Sequence, residues 1–149
     1  MKILILNGPS LNLLGKRNPE IYGQETLEDI EKKLLIQAKV LDIVLQFEQS
    51  NHEGELIDIL QKNIDCDGII FNPGAFTHTS IAIADAIESI TTPTIEVHLS
   101  NIYAREEFRA HSYIAPVSIG QICGFGPSGY LAALTLMHER IQNNFNAKK

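Results

Sequence analysis

Five short strand-like runs alternate with stretches of helical periodicity, and that alternation leaves the chain few options other than a parallel sheet wrapped by helices. Residues 2–7 read as a buried strand around the continuous apolar run Ile3–Leu6. Residues 43–49 run apolar and then alternate; 68–72, 94–98 and 116–123 complete the set. Leu27, Ile30, Leu34, Ala38 and Leu41 recur at helical spacing and predict a helix over 27–40. Thr26 and Asp29 read as its N-cap and reciprocal acid. Asn51 is expected to cap a helix over 53–64, with Leu56, Ile59, Leu60 and Ile64 turned inward. Thr77–Ser80 opens a helix carrying Ile81, Ala84, Ile87 and Ile90. Residues 104–109 read as a short helical turn, and a last helix is expected over 128–143. The fold class is therefore α/β: a flavodoxin-like, doubly wound parallel five-stranded sheet of order 2-1-3-4-5, in a single domain spanning 1–149.

Charge and cysteine content narrow the function classes. A formal net charge of −6 argues against a nucleic-acid surface, because a polyanion needs a basic patch. Cys66 and Cys123 do not make a disulfide framework, and reduced thiols favour a cytoplasmic setting. Neither a secretory leader nor an apolar stretch long enough for a bilayer is expected. No His-x₃-His or Cys/His cluster suggests a metal, and no glycine-rich phosphate loop follows the first strand. The expectation is an enzyme without cofactor or metal, with no membrane or nucleic-acid partner.

Polar residues of catalytic type sit just after the strand-like runs: Asn7-Gly8-Pro9-Ser10, Asn72-Pro73-Gly74 and Glu96-Val97-His98-Leu99-Ser100-Asn101. In an open parallel sheet the loops leaving the C-terminal strand ends share one edge, where ligands bind. The loop 8–25 is long for a strand-to-helix connection, and residues 16–24 within it read as a lid. It carries Arg17 and Tyr22. A tyrosine ordinarily titrates near pH 10 and is a poor base at neutrality. A guanidinium about 4 Å away, at an effective dielectric near 20, favours the phenolate by roughly 4 kcal/mol. Arg17 and Tyr22 together could form a general base; alternatively the tyrosine packs over the domain. Glu96 and His98 share a strand face, so the carboxylate can fix the imidazole as a general acid. The other reading is a satisfied core histidine. His78 serves either a ligand or a helix cap. Asn72 can hold a ligand oxygen, and the Leu99-Ser100 amides could form an anion nest. Arg105 and Arg109, four apart, could clamp oxygens or pair with Glu106 on a solvated surface. His52, His111 and His138 read as structural or exposed.

Taken in order, Asn7-Gly8-Pro9, Arg17-x₄-Tyr22-Gly23, Asn72-Pro73-Gly74-Ala75-Phe76-Thr77-His78-Thr79-Ser80, Glu96-Val97-His98-Leu99-Ser100-Asn101, Arg105-Glu106-Glu107-Phe108-Arg109 and Gly124-Phe125-Gly126-Pro127 resemble type II 3-dehydroquinate dehydratase. The resemblance runs from about residue 2 to about residue 140. It implies reversible dehydration of 3-dehydroquinate to 3-dehydroshikimate, in the shikimate pathway toward aromatic amino acids or in the quinate pathway. It also implies a homododecamer, a tetramer of trimers. By position, Tyr22 resembles the family's base and Arg17 its activator, and His98 resembles the acid, with Glu96 behind it. Asn72 and the Leu99 and Ser100 amides resemble the carboxylate site, while His78 and Arg109 resemble the hydroxyl-binding groups. Asp85 resembles a residue that reaches a neighbouring subunit's site, and Arg105 is similar to a family arginine of unfixed role.

One departure stands out. The family's first loop usually reads Asn-Gly-Pro-Asn-Leu-Asn, and Ser10 replaces its second asparagine, which helps hold the water that stabilises the enolate. Serine is shorter and offers fewer polar atoms. This substitution motivates an alternative, a catalytically impaired homologue acting as a binding or assembly protein. A further rival is an unrelated flavodoxin-like module that binds flavin or accepts phosphate.

Overall fold

The computed structural model describes residues 1–147, with side chains through residue 143. Strands β1 (Lys2–Asn7), β2 (Val44–Gln49), β3 (Gly68–Asn72), β4 (Thr94–His98) and β5 (Gly120–Cys123) form one sheet in the order β2-β1-β3-β4-β5, and every neighbouring pair is parallel. The helices are α1 (Pro19–Tyr22), α2 (Leu27–Leu41), α3 (Glu53–Lys62), α4 (Ile81–Glu88) and α5 (Ser128–Ala147). The expected topology is present. No helix among the described residues is long and apolar enough to cross a membrane.

Strand alternation sorts the core into two. Ile3, Ile5, Ile70, Ile95 and Val97 pack with α2 and α5, while Leu4, Leu6, Ile69 and Phe71 pack with α3 and α4. Successive residues of β1 thus feed opposite faces, which is why Ile3, Leu4, Ile5 and Leu6 are all apolar. Gly68 permits α5 to cross β3 closely, since a Cβ there would stand 2.7 Å from the Met137 sulfur.

The Thr26–Asp29 capping box forms as expected: Asp29 N donates to Thr26 Oγ1 at 3.2 Å, and Thr26 N donates to Asp29 Oδ2 at 3.0 Å. Four local expectations differ from the structure. Asn51 caps no helix, because its Oδ1 accepts from Ser10 N at 2.9 Å; His52 precedes α3 instead. That helix stops at Lys62, leaving Ile64 exposed. The region 116–123 begins as a 3₁₀ turn, Ala115–Val117, because Pro116 cannot donate to a ladder, and β5 starts only at Gly120. Residues 104–109 split into two 3₁₀ turns, Ile102–Ala104 and Glu107–Arg109. The loop 8–25 contains a 3₁₀ turn, Leu11–Leu13, and the single-turn helix α1.

Candidate active site

The C-terminal strand ends bring their loops together as the topology requires. Gly8 N donates to Asn72 O at 2.7 Å, tying the loop after β1 to the end of β3. A Cβ on Gly8 would stand 2.4 Å from the Pro73 carbonyl oxygen, so this junction admits no side chain. Over it opens a cavity of about 160 Å³, bordered by Ser10, Arg17, Tyr22, Asn72, His78, His98, Leu99, Ser100, Arg105 and Arg109, with Leu11, Leu14 and Ile102 as apolar wall.

On one side stands the phenol. Arg105 Nη1 donates to Tyr22 Oη at 3.0 Å and also reaches Ser100 Oγ at 3.3 Å. Its Cζ lies 5.4 Å from the Tyr22 ring centroid, and that of Arg17 lies at 5.7 Å. Two guanidinium groups therefore flank one phenol, but Arg105 is the one that touches its oxygen. Arg17 is exposed, and its charge acts on the ring from outside.

On the other side stands the imidazole. His98 Nε2 donates to Glu96 Oε1 at 2.7 Å. Glu96 is fully buried and does not itself line the cavity; it stands behind His98. Ser112 Oγ lies 2.9 and 3.0 Å from its two oxygens, Gln121 Nε2 donates at 3.0 Å, and Thr77 Oγ1 donates as well. Burial works against the charge, yet the bonds from His98, Thr77 and Ser112 outweigh it and hold the carboxyl below its ordinary range. An ionised Glu96 compensates a positive ring at His98. His78 stacks near His98, with ring centroids 6.3 Å apart. Its Nδ1 donates to the His111 carbonyl at 2.7 Å, which leaves Nε2 as an acceptor. Burial holds His78 below the ordinary histidine range, favouring that neutral form.

Arg109 Nε donates to Glu106 Oε2 at 2.9 Å, so the cavity arginine is steadied from its outer side. Asp85, also singled out by sequence, is exposed on α4 and does not border the cavity. His78 belongs to a 3₁₀ turn, Gly74–His78, and caps nothing; the cap of α4 is Ser80, which accepts from Ile83 N at 2.9 Å. Sequence reasoning assigned no role to Ser112, Gln121 or the His111 carbonyl. Thr77 entered only as part of the segment opening a helix and of the motif around His78, with no role toward Glu96.

The sequence matches the family described as Dehydroquinase class II over residues 1–138. The chain belongs to the class II dehydroquinase family. It is 59% identical over 137 residues to the 3-dehydroquinate dehydratase of Endomicrobium trichonymphae, covering 91% of this chain and 96% of that one. To the 3-dehydroquinate dehydratase of Pelotomaculum thermopropionicum it is 58% identical over 135 residues, covering 90% and 94%. The crystal structure of the type II dehydroquinase from Butyrivibrio crossotus superposes with a TM-score of 0.90 at 46% identity, covering 92% of this chain and 97% of that one. Within this dehydroquinase fold nothing specific favours the impaired-homologue reading, and neither flavin binding nor phosphate acceptance has support.

Proposed function

We propose that this chain is a 3-dehydroquinate dehydratase, dehydrating 3-dehydroquinate reversibly to 3-dehydroshikimate by anti elimination through an enolate, in the shikimate or quinate pathway. One observation carries the reading beyond family membership: a phenol oxygen held by a guanidinium and an imidazole held by a buried carboxylate open on the same cavity.

The placement supports the following chemistry. Tyr22, as phenolate, takes the proton from C2 beside the ketone, and the electron pair moves into the enolate. Arg105, with Arg17 beyond it, stabilises the phenolate. A water held near Ser10 and Asn72 donates to the enolate oxygen. As the enolate collapses, the C1–O bond breaks, and His98 gives its proton to the departing hydroxyl, which leaves as water. Glu96 keeps the imidazolium stable before transfer. Asn72 and the backbone at Leu99 and Ser100 hold the substrate carboxylate, while His78 and Arg109 hold ring hydroxyls. Residues 16–24 act as a lid that seats Arg17 and Tyr22.

The assembly we infer is a homododecamer, a tetramer of trimers, in which Asp85 serves a neighbour's site. Its exposure on α4, and the exposed Tyr103, Phe108 and Phe125 near the cleft, support that reading. Each subunit is one catalytic domain, and the free Cys66 and Cys123 suit a cytoplasmic enzyme. The deciding experiment is incubation with 3-dehydroquinate under ultraviolet absorbance. The product contains a conjugated enone and the substrate does not. Wild type should generate the enone, and Tyr22→Phe should lower kcat by at least about 10²-fold. No enone from the wild type would overturn the activity; undiminished turnover in Tyr22→Phe would overturn the base.

A further inference from the structure

We propose that Tyr130, which does not touch the cavity, is a positioning residue that clamps the Asn72 carboxamide in its substrate-binding orientation from beneath the sheet edge. The inference rests on the reading of Asn72 as a substrate-binding group. Tyr130 lies in the first turn of α5 and is fully buried. Asn7 and Asn72 are register partners at the last positions of β1 and β3. Their side chains share the face of Ile5 and Ile70, which is the face packed on α5. Two strand-terminal amides thus converge on one phenol.

The direction of every hydrogen bond here is fixed by a single backbone group. Gly74 N–H lies 3.1 Å from Asn72 Oδ1, and a backbone amide only donates. Asn72 Oδ1 is therefore the acceptor, and its Nδ2 must point the other way, donating to Tyr130 Oη at 2.9 Å. The phenol proton is then committed to Asn7 Oδ1 at 2.6 Å. Burial pushes the Tyr130 hydroxyl far above the ordinary tyrosine range, so it stays a donor across the working pH range. The carboxamide is held at both ends. One Asn72 amide hydrogen is left over, and Asn72 borders the cavity. That hydrogen suits an anionic oxygen, whereas a carboxamide free to turn would also present its carbonyl.

Tyr130→Phe removes one oxygen and leaves both amides short of a partner. The expected result is a rise in KM for 3-dehydroquinate of about 5- to 150-fold, the range for a buried hydrogen-bonding group left unpaired, with kcat within about threefold. The decisive comparison is a double-mutant cycle with Asn72→Ala. Positioning predicts that Asn72→Ala raises KM and that Tyr130→Phe adds nothing further in that background. An equal KM rise in both backgrounds overturns the proposal, because the hydroxyl would then act on the fold at large. An unchanged KM in Tyr130→Phe, with Asn72→Ala impaired, overturns it too. An unchanged KM in Asn72→Ala overturns the underlying reading of Asn72, and the proposal with it. Should Tyr130→Phe fail to fold, Asn7→Ala strips the phenol proton of its acceptor and is expected to give the same KM rise and the same non-additivity.

Discussion

Ser10 adopts a left-handed backbone, φ 67°, where asparagine is tolerated better than serine. Its N–H is taken by Asn51, and it borders the cavity. Serine at this position therefore keeps a backbone that an asparagine prefers. We expect Ser10→Asn to raise kcat, since its carboxamide offers more polar atoms to the enolate-side water, without lowering the thermal midpoint. Steady-state kinetics and a melting curve check both, and an unchanged or lower kcat would show that the serine is not limiting. Glu96 offers a second test. Its folded pKa lies below the reference 4.5, so its charge contributes stability that is present above pH 4.5 and lost as pH falls through the folded value. Melting temperature in Glu96→Gln should be lower at neutral pH and should fall less steeply on acidification than in wild type. Equal slopes would show that the fold does not favour the charged form. Legibility at this scale followed sequence distance. Glu96 and His98 are two apart on one strand and could be paired by inspection. Arg105 stands 83 residues from the phenol it touches, and Ser112 stands 16 from Glu96. No local pattern announces either contact.

Among elements, those with periodicity and their own caps were readable, and those ended by distant contacts were not. Helix 27–40 was expected and Leu27–Leu41 is found, because a capping box and a regular apolar stripe agree. The Asn51 cap failed because the side chain is drawn to the loop after β1, from which its sequence position gives no hint. Strand five was read four residues too long because an apolar run cannot distinguish a ladder from a turn wedged by Pro116. The junction between the loops after β1 and β3 also belongs to this scale. Gly8→Ala would drive a methyl group into the Pro73 carbonyl, and the loops would have to part. We expect a loss of about 1–3 kcal/mol in denaturant unfolding, as for other overpacked sites. A KM rise should accompany it, because Ser10 lies on one of the loops being separated and Asn72 is the strand residue from which the other departs. Unaltered stability would mean the junction yields more readily than its geometry suggests.

At the scale of the whole molecule, strand order was readable because parallel crossovers leave few routes and the polar strand ends had to share one edge. The proposed dodecamer rested on resemblance, since a lone exposed Asp85 names no partner. Sedimentation equilibrium should return twelve times the subunit's 16.6 kDa, about 199 kDa. A monomer or a free trimer would overturn that assembly.

The acid side of the cleft is rooted in β4, whose five residues are all buried, while the phenol rides on α1, four residues with none buried. The two halves of the proton exchange therefore keep different time. One is anchored in the buried sheet, and the other stands on a single surface turn, the kind of segment that opens at the lowest free-energy cost. Warmth or mild denaturant will unseat the phenol first, so the catalyst falls silent while its body is still whole.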